Sequence, residues 1–301
     1  MLAIALRLFL LCELSFYAWI AIDGFKLPPS PAALFAVGGV LLARANINLI
    51  TWGYARAWQS PAPRLGPLRT AAMMLGEYAA FLACFVLILP FERLWMGEDR
   101  LRPGGTRPPL LLIHGYGCSR GAWWWLRRRL EAAGWTVATI NLEPVYTSID
   151  NYAEPLSRRI DEVLAQTGAA RLILVGHSMG GLVARAFLRR YGAARVARVV
   201  TLGTPYGGSR LALLGIGRNG RQMEAGSAWL QALAQEAPAV ETIAIVSPRD
   251  NYVMPQTNLD LPGARMRRVD GVGHLAMLFS PRVAAALCAA LEEEPATASA
   301  D

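Results

Sequence analysis

Hydrophobic and polar residues follow two different patterns along the chain, and the change falls near residue 95. The first part holds three apolar stretches, at residues 2–22, 32–52 and 71–91. Each has about the twenty residues that a helix needs to cross a ~30 Å hydrocarbon core. Proline clusters, which break helices, separate the stretches. The pattern predicts an all-α, hydrophobic membrane region over residues 1–95 with two or three spans.

From residue 108 onward, short β-rich runs alternate with helical ones. Such alternation predicts an α/β fold, with a mostly parallel sheet and helices on both of its faces. We expect this domain at 108–292, between a linker at 96–107 and a flexible tail at 293–301, with a small cap at 206–238. Strands are predicted at 110–113, 136–141, 171–175, 196–202, 242–246 and 265–269, and helices at 123–133, 152–167, 180–191, 229–235 and 281–292.

Charged residues interrupt the apolar stretches and leave alternatives open. Arg7, Glu13 and Arg44 lie nearer the ends, whereas Glu77 lies inside the third stretch. A charge at mid-bilayer costs roughly 2.5–3.5 kcal/mol on insertion scales. The first stretch can instead be a cleaved signal peptide, and the region can be a helical hairpin packed on the second domain. No clear cleavage site precedes Pro28 and two more apolar stretches follow, so we favour spans in a bacterial inner membrane.

The positive-inside rule orients these spans. The segment 53–70 carries three arginines and no acidic residue, which places it in the cytoplasm. Three spans then deliver the second domain to the periplasmic side, which is the arrangement we prefer. Two spans would leave that domain in the cytoplasm. Four arginines favour the two-span arrangement because they follow the third stretch, at Arg93, Arg100, Arg102 and Arg107.

Composition excludes several classes of protein. The chain is 54% hydrophobic and 17% charged, against ~25% charged in soluble domains, so it is not disordered. Its net charge of +8 rests on arginine, with Lys26 the only lysine. This indicates either a nucleotide-composition bias or a face toward acidic lipid headgroups. Nucleic-acid modules, metal-type Cys/His spacings and nucleotide-binding motifs are absent from the sequence, so we expect no nucleic-acid partner, metal or cofactor.

The strongest motif is Gly176-His177-Ser178-Met179-Gly180, which follows an apolar strand and opens a helix. This is the G-x-S-x-G nucleophile elbow in its required context. The strand-to-helix turn forces the serine into a strained conformation, and the flanking glycines leave no Cβ to clash. The N–H of Met179, at the helix start, can donate to an oxyanion. We therefore expect Ser178 to be a nucleophile.

A second motif, His114-Gly115-Tyr116-Gly117, directly follows the first predicted strand. Its glycines allow the backbone to approach a substrate carbonyl closely. We expect the N–H of Tyr116 to be the second oxyanion donor. His114 is expected to orient this loop by hydrogen bonding.

The general base is predicted by elimination, because the chain has three histidines. His177 adjoins the nucleophile and points in the wrong direction to accept its proton, and His114 belongs to the oxyanion loop. His274 remains, within Gly271-Val272-Gly273-His274, and it completes the chain order Ser, acid, His.

The acid that orients this histidine is expected in the loop after the preceding strand. Asp250 is the first choice, since its carboxylate would fix the tautomer of His274 and stabilise the imidazolium. Asp260 and Asp270 are the competing candidates. Asp270 lies only four residues before the histidine, at the predicted strand end.

From residue 108 to 291 the chain resembles the α/β-hydrolase fold, and within it the small bacterial triacylglycerol lipases and esterases. The resemblance rests on His114–Gly117, Gly176–Gly181, the run Val200-Thr201-Leu202-Gly203-Thr204-Pro205, Asp250 and Gly271–His274. It implies Ser178 as nucleophile, His274 as base, Asp250 as acid, and Tyr116 and Met179 as oxyanion donors. The chain departs from these lipases in its apolar N-terminal region and in a longer insertion between Pro205 and Pro238.

The sequence thus predicts a membrane-anchored serine hydrolase that cleaves carboxylic esters, acylglycerols or other lipid esters foremost, through an acyl-serine. An acyltransferase or a thioesterase would use the same triad. From another class, an inactive membrane scaffold on a hydrolase fold remains open. The expected partners are an ester substrate and membrane lipids, and no protein partner is identified.

Overall fold

The computed structural model of the chain describes residues 1–293. The predicted tail at 293–301 therefore lies, apart from Glu293, outside the described residues. Long apolar helices form the N-terminal part, and an α/β sheet domain forms the rest.

Three N-terminal helices are long and apolar enough to cross a membrane, judged by length and composition alone: Leu2–Gly24, Pro29–Ala57 and Pro67–Ile88. Helix α1 (Leu2–Trp19) continues as a π-helical turn, and a short connection leads to α2 (Pro29–Ala57). The third consists of α3 (Pro67–Leu82) and the π-helical segment Ala83–Ile88.

Helices α1 and α2 pack on each other as an antiparallel hairpin. The ring of Tyr17 lies over Gly39, where a Cβ would come within 2.6 Å of it. Glu13, four residues before Tyr17 in α1, forms a largely buried ion pair with Arg44, five residues after Gly39 in α2. Two of the three charges that interrupt the first two apolar stretches, Glu13 and Arg44, are therefore paired with each other inside the hairpin, whereas Arg7 is exposed.

Helix α3 packs on the sheet domain along most of its length. Met73 faces the segment 270–282 across a shared cavity, and Phe81 packs against Leu275. Farther along, Cys84 joins the core that covers one face of the sheet. These contacts extend over about 16 Å of helix, at 1.5 Å per residue. One side of the helix is therefore covered by protein, whereas Leu68, Leu75 and Leu87 on its other sides are exposed.

Six parallel strands form one sheet in the order β2-β1-β3-β4-β5-β6. The predicted α/β fold class is confirmed. Helices cover both faces, and the first five strands are buried and largely apolar for that reason, whereas the last one, at the edge, is Arg-Met-Arg-Arg and partly exposed. The strands are β1 (Leu110–Ile113), β2 (Val137–Ile140), β3 (Leu172–His177), β4 (Val196–Leu202), β5 (Thr242–Val246) and β6 (Arg265–Arg268). The remaining helices are α4 (Glu92–Trp95), α5 (Trp124–Ala132), α6 (Ala153–Thr167), α7 (Met179–Tyr191), α8 (Gly217–Gln222), α9 (Ala228–Ala234) and α10 (Pro281–Glu292).

The segment 96–107 between the helices and the sheet is held by one buried carboxylate. Asp99 accepts hydrogen bonds from the backbone N–H of Thr139, at 2.7 Å, and from Arg159, at 2.7 Å. Arg127 lies 3.0 Å from its other oxygen. Because β2 is the edge strand, Asp99 fixes this segment against the edge of the sheet.

Close packing between α7 and β1 determines where the helix begins. A Cβ on Gly180 would lie 2.1 Å from the Ile113 carbonyl oxygen, far inside contact distance. Only glycine fits here without displacing the helix from the strand.

We expect Gly180→Ala to lower the free energy of unfolding by about 1–3 kcal/mol or more, because the added methyl overpacks a rigid backbone contact. Thermal unfolding followed by circular dichroism should show that the unfolding temperature falls by roughly 2–4 °C for each kcal/mol lost. Gly76→Ala is the matched control, because a Cβ there meets nothing within 4 Å. Equal unfolding temperatures for the two variants would contradict the packing argument.

Candidate active site

Ser178 occupies a strained turn between β3 and α7. Its backbone has φ 54° and ψ −124°, an unfavourable region for a residue with a side chain. The turn closes tightly, since a Cβ on Gly176 would lie 2.5 Å from the nitrogen of Gly181. The sharp reversal leaves Ser178 partly exposed at the carboxyl end of β3, whereas its neighbours are buried.

The loop after β1 lies directly beside Ser178. A Cβ on Gly115 would approach the Cβ of Ser178 to 2.9 Å. Met179 is the first residue of α7, so its N–H has no partner within the helix. The Tyr116 hydroxyl accepts a hydrogen bond from the N–H of Ile216 and donates one to its carbonyl, both at 2.8 Å. Tyr116 therefore connects this loop to the segment 206–238.

Two of the three histidines are buried supports. His114 accepts the Leu142 N–H at Nε2, at 2.9 Å, and its Nδ1 lies 2.9 Å from the Gly115 carbonyl. Burial lowers the pKa of His114 to about 4. His177 donates from Nε2 to the His274 carbonyl, at 3.2 Å, and burial lowers its pKa well below 6.5. Both rings are neutral at pH 7.

His274 pairs with Asp250, the first choice among the predicted acids. Its Nδ1 lies 2.7 Å from Asp250 Oδ2, while Oδ1 accepts the N–H groups of Tyr252 and Val253 at 2.8 Å each. Burial alone would lower the pKa of His274, but the charge of Asp250 and its hydrogen bond outweigh burial and raise that pKa above 6.5. The ring of Tyr252 stacks on His274, with centroids 5.0 Å apart.

The two competing carboxylates lie elsewhere. Asp260 is exposed. Asp270 forms an ion pair with Arg249 and accepts the N–H of Gly271. Neither has a hydrogen bond or ion pair with His274 among residues 1–293, whereas Asp250 has both.

Two residues that support His274 were not predicted. Asn251 accepts the backbone N–H of His274, at 3.0 Å, and donates to Thr51 of α2, at 2.8 Å. Glu77 of α3 is fully buried and accepts the N–H groups of Leu275 and Ala276, at 2.9 and 2.8 Å. The signal for Glu77 was a single carboxylate inside an apolar stretch, which requires a buried partner. Its sequence position could not identify that partner.

Ser178 and His274 line one cavity of about 550 Å³, a size typical of small-molecule sites. Gly115, Tyr116 and Gly117 contribute to the wall beside them. The predicted cap forms another part of it, through seven apolar or small residues: Ser209, Leu211, Ala212, Leu214, Gly215, Gly220 and Met223. Within residues 1–293, no group of three His, Cys, Asp or Glu side chains is arranged to hold a metal ion.

Comparison with known proteins agrees with this architecture. The α/β-hydrolase fold family matches residues 108–235. The triacylglycerol lipase of Pseudarthrobacter phenanthrenivorans is 35% identical over 115 residues, 36% of each chain. That of Burkholderia plantarii is also 35% identical over 115 residues, 36% of this chain and 32% of the relative. The chain thus spans about a third of the length of the curated relatives that it matches.

Among solved structures, the mature lipase BlEst2 of Bacillus licheniformis superimposes with a TM-score of 0.58 at 19% identity, covering 65% of this chain and 96% of that one. Aspergillus fumigatus lipase B superimposes with a TM-score of 0.57 at 15% identity, and the match covers 67% of this chain and 57% of that one. At such identities the likeness concerns the fold. The protein has the α/β-hydrolase fold and is lipase- or esterase-like, with three apolar helices in front of that fold.

We expect one of the three histidines to titrate above pH 6.5, and that one to be His274. Burial keeps the other two neutral, whereas the Asp250 carboxylate favours the protonated form of His274. An NMR titration of histidine-labelled protein measures the pKa values of all three histidines, and the His274→Ala variant assigns the His274 signal. Asp250→Asn should lower this pKa, and Asp260→Asn should leave it unchanged. An unshifted midpoint in Asp250→Asn would contradict the pairing.

Proposed function

We propose that the protein is a membrane-anchored carboxylic-ester hydrolase that works through an acyl-serine on Ser178. The observation that carries the proposal is the His274–Asp250 pair, at 2.7 Å, in the cavity that also contains the strained serine. The similarity to triacylglycerol lipases supports esters as the substrate class. A triad with all three members present argues against an inactive scaffold.

The first half-reaction forms the acyl-enzyme. Ser178 Oγ attacks the ester carbonyl carbon while His274 Nε2 takes its proton, and Asp250 stabilises the resulting imidazolium. The oxyanion accepts hydrogen bonds from the N–H groups of Tyr116 and Met179. The C–O bond of the ester then breaks, and the alcohol leaves with the proton from His274.

The second half-reaction repeats these steps with water. His274 removes a proton from a water molecule, which attacks the acyl-serine. The tetrahedral intermediate collapses, the carboxylic acid leaves, and Ser178 recovers its proton from His274. The base must be neutral at the start of each half-reaction, so the rate should fall as pH falls through the raised pKa of His274.

Membrane attachment is assigned to the α1–α2 hairpin. Near the hairpin tip, Phe16, Trp19, Phe25 and Leu34 are exposed, and their apolar rings and chains suit a lipid environment. Helix α3 differs from the hairpin because one of its sides packs on the sheet domain and carries the buried Glu77, although Leu68, Leu75 and Leu87 on its other sides are exposed. This contact with the domain favours the two-span alternative, with the domain in the cytoplasm, over the three spans that we preferred from the sequence.

Ser178→Ala should reduce ester hydrolysis by roughly 10⁴–10⁶-fold, to near the background rate, because the nucleophile is lost. Asp250→Asn should reduce kcat by roughly 10⁴-fold, because the tautomer of His274 is no longer fixed. The measurement is p-nitrophenyl ester hydrolysis by full-length protein in detergent. Asp260→Asn is the control and should retain wild-type turnover. Hydrolysis that survives Ser178→Ala would refute the nucleophile, and near-full turnover of Asp250→Asn would refute the acid.

If α1 and α2 alone cross the membrane, the turn between them lies in the periplasm and the C-terminus in the cytoplasm. Lys26→Cys in a Cys12→Ser background should then react with a membrane-impermeant maleimide in intact cells. A C-terminal green fluorescent protein should fluoresce, and a C-terminal alkaline phosphatase should be inactive. An active phosphatase fusion would show that α3 crosses as well.

A further inference from the structure

The cavity beside Ser178 is not closed by the hydrolase domain alone. All three N-terminal helices line it: α1 with Leu2 and Leu6, α2 with Ile47, Ile50 and Thr51, and α3 and its π-helical extension with Phe81 and Phe85. We propose that these helices form the binding wall for a long acyl chain of a membrane lipid ester. This inference rests on the proposed function for the reaction. It adds the substrate class, a lipid ester with a long acyl chain, on the evidence of the helix residues that line the cavity.

The wall suits hydrocarbon rather than a polar group. Six of the seven helix residues are aliphatic or aromatic, and no Asp, Glu, Lys or Arg lines this cavity among the residues that the structure describes. Apart from Thr51, the polar lining residues, including Ser178 and His274, belong to the hydrolase domain. An ester with its carbonyl at Ser178 can therefore place its acyl chain against the helices, where burial of apolar surface is favourable.

The cavity opens among apolar residues. Ile47 and Ile50 line it and are nevertheless 46% and 51% exposed, and Leu214 of the cap lines it and is 58% exposed. Next to Leu214, Leu213 and Ile216 are exposed as well. An apolar rim that includes part of the membrane hairpin is costly in water and favourable in lipid. The acyl chain would therefore enter from the bilayer, past α2 and the cap. Such a rim favours a membrane-embedded ester over a water-soluble one.

Polar contacts hold the helices in position against the reacting groups. On α2, Thr51 accepts a hydrogen bond from Asn251, the residue after Asp250. Beyond α2, Ser60 donates its N–H to Gln256, at 2.7 Å, and accepts that of Thr257, at 3.0 Å. These contacts hold α2, which carries part of the wall, against the loop that follows Asp250.

Tryptophan at Ile50 should obstruct the subsite, whereas tryptophan at Leu49 should not. The two residues adjoin on α2 and are similarly exposed, at 51% and 58%, but only Ile50 lines the cavity. In nanodiscs of full-length protein we expect Ile50→Trp to lower kcat/KM for the sixteen-carbon p-nitrophenyl ester at least tenfold. The two-carbon ester should change less than twofold. In the wild type, kcat/KM should rise with chain length by up to about fourfold per methylene, as burial of each group allows.

Leu49→Trp should match the wild type for every ester. Equal losses on short and long esters in Ile50→Trp, or the same chain-length loss in both variants, would overturn the subsite. Leu6→Trp, with Leu8→Trp as its control, repeats the comparison on α1, because Leu6 lines the cavity and Leu8 does not.

A binding measurement separates this inference from the proposed reaction. Ser178→Ala protein in nanodiscs is irradiated with a palmitate analogue that carries a terminal diazirine. Cross-links on residues 2–6 and 47–51 that Ile50→Trp removes and Leu49→Trp retains would support the subsite even if no ester is hydrolysed. Ser178-dependent hydrolysis without chain-length selection and without these cross-links would leave the reaction standing and refute the subsite.

Discussion

A buried carboxylate on an apolar helix connects the two parts of this molecule. Glu77 of α3 accepts two backbone N–H groups from the turn that directly follows His274. Leaving these N–H groups unpaired at a buried contact would cost about 1–3 kcal/mol each. The position of the histidine turn therefore depends on a helix that precedes the hydrolase domain in the chain. Asn251 adds a second connection, since it joins the N–H of His274 to Thr51 of α2.

These connections change the role of the apolar region. A simple anchor would restrict the enzyme to the membrane and leave the site unaffected. Here the same helices contact the loops that carry Asp250 and His274, and they line the cavity next to Ser178. The parallel sheet supplies the fixed geometry of Ser178, because the strand end and the start of α7 are buried on both sides. The helices supply the apolar boundary, which the sheet domain lacks on this side.

Features that depend on residues close together in the chain could be predicted from the sequence, whereas contacts between distant residues could not. The fold class followed from alternating strands and helices, and the predicted strands agree with the observed ones to within a few residues. Ser178 was evident because its strain requires flanking glycines within a short motif. With three histidines in the chain, elimination led to His274, and Asp250 followed from its place after a strand. Asn251 and Glu77 were not predictable, because they act through contacts with residues 23 and about 200 positions away in the chain.

Apolar stretches of similar length can have different environments, and their polar residues distinguish them. Glu13 and Arg44 pair within the α1–α2 hairpin, so each of these two charges is neutralised by the other helix. Glu77 instead finds its donors in the hydrolase domain, which means that its helix must face that domain. Hydropathy averages over a window and does not register this difference. A carboxylate without a basic partner in the neighbouring helices therefore indicates a helix that belongs to the catalytic fold, however apolar the rest of that helix is.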